Sequence, residues 1–92
     1  MNTTGYNLEI MPSCIRVINK ACKKNPVLKN ALYNKVDEIV KSPYHFKPLS
    51  YDFAGERRVH ILDSFVLRYT ITELTKTITL IAFDHHDSAY RR

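Results

Sequence analysis

Six side chains in the second half of this sequence belong to types that handle phosphate chemistry: Arg57, Arg58, His60, Arg68, His85 and His86. Imidazole takes up and releases protons near neutral pH. The guanidinium fork matches the oxygens of a phosphoryl group. Spacing matters as much as type, because residues two apart on a strand share a face. In Arg57-Arg58-Val59-His60-Ile61-Leu62, an inward Val59 and Ile61 leave Arg58 and His60 pointing outward. In Phe65-Val66-Leu67-Arg68-Tyr69, an inward Phe65, Leu67 and Tyr69 leave Arg68 outward as well. One uncovered sheet face would then carry Arg58, His60 and Arg68, with His85 or His86 beside them at a strand end. Arg57 is out of phase and aims at the inward side unless a bulge near Gly55 resets the register.

The elements that must position these groups follow from hydrophobic period. Tyr6, Leu8 and Ile10 alternate with polar residues and predict a short first strand. Pro12-Ser13 then opens a helix whose apolar side is Ile15, Ile18, Ala21 and Cys22. Asn25-Pro26 repeats the start signal, a capping Asn followed by Pro at the first helical position. The second helix carries Leu28, Ala31, Leu32, Val36, Ile39 and Val40 on one stripe and ends near Ser42-Pro43. Two amphipathic helices joined by so short a link fold back antiparallel. After an irregular segment over 44–56, the period changes to two, giving strands at 57–62, 65–72 and 77–83 with turns at Asp63-Ser64 and Glu73 to Lys76. The expected fold is α+β in the order β-α-α-β-β-β: an N-terminal helical hairpin packed on one face of a mostly antiparallel four-stranded sheet.

A chain of 92 residues supports a single domain over 1–92, with residues 1–5 as a tail. No apolar run approaches the roughly 20 residues of a membrane helix. The start Met1-Asn2-Thr3-Thr4-Gly5 has neither the basic nor the apolar part of a secretory leader. Both features predict a cytoplasmic protein with no membrane partner. Gly5 and Gly55 are the only glycines, which excludes Gly-rich phosphate loops. Cys14 and Cys22 lie eight apart on one helix, about 12 Å at 1.5 Å per residue, too far for a disulfide. The net charge of +5 is concentrated in residues 12–47, where Arg16, Lys20, Lys23, Lys24, Lys29, Lys35, Lys41 and Lys47 oppose only Asp37 and Glu38. Such a basic half suits a polyanionic partner, nucleic acid foremost, or is the wet side of amphipathic helices.

Taken together, the order of elements, the run from Gly55 to Tyr69 and the ending Phe83-Asp84-His85-His86-Asp87-Ser88-Ala89-Tyr90 resemble the RelE/ParE superfamily of toxins from toxin–antitoxin pairs, over residues 6–90. The YafQ-like branch is the nearest in flavour, with a His-Ile strand before an Asp-aromatic turn and a second His near the C-terminus. This resemblance implies a RelE-like fold and a ribosome-dependent endoribonuclease that cuts mRNA in the decoding site. It also implies an acidic, partly disordered antitoxin that wraps the toxin. A ParE-like member would instead poison DNA gyrase without needing histidines, and a degenerate member would be an inactive basic RNA-binding module.

Metal-free RNA cleavage deprotonates a 2′-hydroxyl, stabilises a phosphorane and protonates the 5′ leaving oxygen; it needs no cofactor. The candidate catalytic residues are therefore His60, His86, Arg58, Arg68 and Tyr90. His60 is either a general base or phosphate contact, or a hydrogen-bonded structural histidine. His86 is a general acid or an orienting group, with Asp87 either steering it or solvated. Tyr90 stacks on a base or closes the core edge. Arg58 and Arg68 hold phosphate or pair with an acid such as Glu56 or Asp84. The candidate RNA-binding residues are Arg57, Arg16, Lys20, Lys23, Lys24 and Lys47, the helical ones facing ribosomal RNA. Many family members carry Arg where Val66 stands, and an aliphatic residue where Arg68 stands. His45 reads as a solvated loop residue. A metal site in Asp84-His85-His86-Asp87 is disfavoured, because neighbours on a strand diverge to opposite faces.

Overall fold

The computed structural model describes residues 5–46 and 55–85. Their order is β1 (Asn7–Ile10), α1 (Pro12–Cys22), α2 (Pro26–Lys41), β2 (Glu56–Ile61), β3 (Phe65–Thr72) and β4 (Thr77–His85). Both helices begin with proline in the first turn, where the missing N–H costs nothing. At α2 the Leu28 amide also donates to Asn25 Oδ1 at 3.1 Å, so the predicted cap is present.

The sheet order is β1-β4-β3-β2. Strands β2, β3 and β4 form an antiparallel meander, and β1 joins the far edge parallel to β4, with Asn7 opposite Thr77 and Ile10 opposite Leu80. A parallel neighbour requires a crossover, which the helical hairpin supplies. Both helices therefore lie on one face. Cys14 from α1 and Leu28, Leu32 and Ile39 from α2 meet Val59, Ile61, Leu67, Tyr69, Ile78, Leu80 and Phe83 from the sheet. The phenol of Tyr69 is fully buried and donates to the Pro43 carbonyl at 2.7 Å. Burial pushes that hydroxyl up to about 12, so it stays protonated and pins the end of α2 to the sheet.

The register decides between the two alternatives that the sequence left open for Arg57. No bulge occurs at Gly55: β2 and β3 pair without interruption from Glu56↔Thr70 to Ile61↔Phe65. The irregularity lies on the other side of β3, where Arg68 pairs with Ala82 and Tyr69 with Leu80, leaving Ile81 as the extra residue. Arg57 accordingly keeps its phase and faces the helices. Among the described residues no helix is long and apolar enough to cross a membrane.

Candidate functional site

The side of the sheet away from the helices is built in cross-strand rows. One row runs His60–Val66–Asp84, the next Arg58–Arg68–Ala82, and the third Glu56–Thr70–Thr79. Two strands, β2 and β3, thus bring two guanidiniums and an imidazole onto adjacent positions of one surface. His60 is exposed, while Val66 beside it is buried and forms an apolar floor to its row. Like charges directly opposite each other are unfavourable on a sheet, so the Arg58↔Arg68 pair calls for compensation. Glu56 provides it, with Oε1 3.1 Å from Arg68 Nη1 and both side chains about three-quarters buried or a little less, at 25% and 30% exposure. Ala82 leaves the far flank of Arg68 without bulk. There a cavity of about 280 Å³ opens between Arg68, Ile81, Ala82 and Asp84 and the start of α1 at Ser13, Cys14 and Val17.

The other expected residues fall elsewhere. His85 sits on the helix-facing side, its ring edge-on to Phe65 with centroids 5.5 Å apart, so it does not join His60. Arg57 also points to that side, donating from Nη1 to the Phe46 carbonyl at 2.6 Å and lying 5.0 Å from the centre of the Tyr44 ring. It is therefore removed from the Arg58–Arg68 surface by the thickness of its own strand. Arg16 and Lys20 on α1, and Lys23 and Lys24 after it, are exposed. They belong to the helical layer and not to the cross-strand rows that carry His60. His86, Tyr90, Asp87 and Lys47 lie outside the described residues. Cys14 and Cys22 are both free thiols, and burial pushes Cys14 up to about 11.

A second polar cluster, at the other end of the strands, had no sequence signal. Glu73 in the β3–β4 loop accepts from the hydroxyls of Tyr44 and Tyr6, the latter at 2.6 Å, and from Lys76 Nζ at 2.9 Å. The Tyr44 hydroxyl, then that of Tyr6, then Lys76 hold the carboxyl down to about 2. The same bond pushes the Tyr44 hydroxyl up to about 12. This latch ties β1, the segment after α2 and the hairpin loop together. Among the described residues no group of three or more His, Cys, Asp or Glu side chains is placed to hold a metal ion.

Solved structures of the same fold include bacterial toxins. A YoeB/ParE toxin from Agrobacterium tumefaciens superposes with a TM-score of 0.79 over 87% of this chain and 98% of its own, at 14% identity. A chain of the Escherichia coli DinJ–YafQ toxin–antitoxin complex gives 0.70 over 95% of this chain and 99% of its own, at 17% identity. In sequence, a Methanocaldococcus jannaschii protein provisionally named toxin RelE4 is 39% identical over 87 residues, covering 95% of this chain and 93% of that protein. No family profile matches the sequence. At that identity and coverage the chain belongs to the RelE family of toxins from toxin–antitoxin pairs.

Proposed function

We propose that this toxin is an endoribonuclease that cuts mRNA on the ribosome, and that its active surface is the helix-free face of the sheet. The observation that carries the reading is the placement of Arg58, Arg68 and His60 in adjacent cross-strand rows of that face. In the proposed reaction His60 or His86 takes the 2′-hydroxyl proton and the 2′-oxygen attacks phosphorus. Arg58 and Arg68 hold the equatorial oxygens as charge builds there. The P–O5′ bond breaks, the other histidine protonates the 5′-oxygen, and a 2′,3′-cyclic phosphate remains. This chemistry runs on side chains alone. Tyr90 orients a base by stacking.

The cations of the helical layer (Arg16, Lys20, Lys23 and Lys24) then serve a different ligand from the mRNA, namely ribosomal RNA phosphates on the outer side of the toxin. Lys47 serves the same backbone at the margin, and Arg57 contacts the mRNA at the edge of the sheet. The partner that silences the toxin is an acidic chain that orders on binding and covers the cationic face. Toxin and antitoxin both act in the cytoplasm.

Primer extension on a translated message, with and without induced protein, tests the reading. Breaks within codons that require translation are expected, and they should disappear when His60 and His86 are both replaced by Ala. Growth arrest that persists in the double variant, with messages intact, would instead favour a gyrase-directed inhibitor. No arrest and no cleavage by the wild type would mark an inactive RNA-binding module.

A further inference from the structure

The start of β2 forms a cavity of about 150 Å³ lined by Tyr44, Gly55, Glu56, Arg57 and Ile71. We infer, resting on the RNA reading above, that this cavity receives one unpaired nucleobase of the bound strand and favours bases with an exocyclic amino group.

Proteins read single-stranded RNA by stacking its bases on aromatic rings or guanidinium planes and by hydrogen-bonding their edges. Both kinds of platform line this cavity, and both are held in place before any ligand arrives. The Tyr44 ring is half exposed, and its hydroxyl is fixed on Glu73. The Arg57 guanidinium lies 5.0 Å from the ring centre and is anchored by the Phe46 carbonyl. A base that stacks here pays little to order its platform. At Gly55 the backbone has φ +92°, and among the described residues, its chain neighbours apart, no atom lies within 4 Å of where a Cβ would stand. A planar ligand can therefore approach the main chain closely.

Glu56 gives the cavity its discrimination. An ionised carboxylate only accepts hydrogen bonds, and one bond to Arg68 leaves it much of its capacity. Adenine, cytosine and guanine each offer an amino group to such an acceptor. Uracil offers one N–H between two carbonyls, which the carboxylate repels. Position fits as well. Glu56 belongs to the open face and Arg57 to the helix side, so the cavity lies at the rim of the edge strand β2. Arg58 is two residues along, about 7 Å at strand rise. A strand whose phosphate sits on Arg58 and Arg68 reaches the cavity by turning over that rim.

The test is a ¹H–¹⁵N NMR titration of the full chain with 2′-O-methyl RNA trinucleotides that differ only in the middle base. Methylation removes the attacking hydroxyl, so binding is read apart from cleavage. With A, C or G in the middle, the Gly55 and Glu56 amides are expected to shift at concentrations at least fivefold below those needed with U. Tyr44→Ala should weaken binding about tenfold, and Tyr44→Phe, which keeps the ring, should restore most of that loss. Glu56→Gln should erase the discrimination against U. Equal response to all four bases overturns the inference, as does a response confined to Arg58, His60 and Arg68, or no binding at all. Equal loss in Tyr44→Phe and Tyr44→Ala assigns the effect to the Glu73 latch and also overturns it. A chain that binds and discriminates in this way but cuts no message refutes the nuclease reading alone. One that cuts messages without shifts at Gly55 and Glu56 refutes only the base site.

Discussion

The two faces of the one sheet have been built by opposite rules. On the helix side Val59, Ile61, Leu67, Tyr69, Ile78, Leu80 and Phe83 are almost wholly removed from water, and stability comes from apolar area. Their neighbours in sequence, Arg58, His60 and Arg68, project to the other side, where Arg58 and Arg68 stand opposite each other at a cost that packing does not repay. The same strand therefore spends alternate residues on folding and on a cationic surface. Substitutions two residues apart should fail alike, and substitutions one residue apart should fail differently.

The largest effect is expected on the covered face. Leu67→Ala removes a fully buried side chain, which should cost about 2–5 kcal/mol and lower the melting temperature by roughly 10 °C or more. Next comes the open face. Arg58→Ala should reduce message cleavage roughly 10²–10³-fold, the range for loss of one charge-stabilising donor, while thermal stability moves by no more than about 0.5 kcal/mol. The comparison breaks if Arg58→Ala melts as early as Leu67→Ala, or if Leu67→Ala abolishes cleavage at temperatures where circular dichroism shows it fully folded.

Tyr69→Phe sharpens the picture of the covered face by deleting one oxygen. The Pro43 carbonyl then loses its buried donor, for which a loss of about 1–3 kcal/mol is expected in urea denaturation. A loss near zero would mean that water or a neighbour takes the phenol's place. In that case α2 is held on the sheet without need of this particular hydrogen bond.

Much of this division was legible in the sequence because it depends on near neighbours. Pro12 and Asn25-Pro26 announce helix starts through local backbone chemistry, and period two along 57–72 separates the faces without knowledge of the partners. The same rule turned Arg57 inward, where the structure has it, whereas His85 reaches the helix side only through the Ile81 bulge. What stayed hidden depends on pairing between distant segments. The Ile81 bulge sits in a run of β-branched residues with no glycine to mark it, and exists only because β3 and β4 pair as they do. Glu73 reads as an ordinary turn residue, since its phenol donors lie 29 and 67 positions away. The Glu56–Arg68 pair was legible as one of several possible cross-strand partners. Only the register, with Arg58 opposite Arg68 and Glu56 one row on, singles it out.

The Glu73 latch supplies the smallest expected effect and a test of a third kind of stabilisation, neither apolar area nor open-face charge. Its carboxyl titrates near 2 when folded, against an ordinary 4.5. As acid is added, the unfolded chain therefore binds this proton before the folded chain does. The contribution of the ionised latch is complete above the unfolded value and is lost as pH falls from about 4.5 toward 2. Glu73→Gln removes this one titration and leaves the other carboxylates as they were. The difference in melting temperature between wild type and variant should be constant above about pH 5 and shrink steadily below it. Because the group is exposed, the plateau should be small and should diminish in high salt. A difference that does not change between pH 5 and 2 would show that the tyrosines hold the loop equally well with a neutral partner. Shape and packing would then close that end of the sheet, as they close the face beneath the helices.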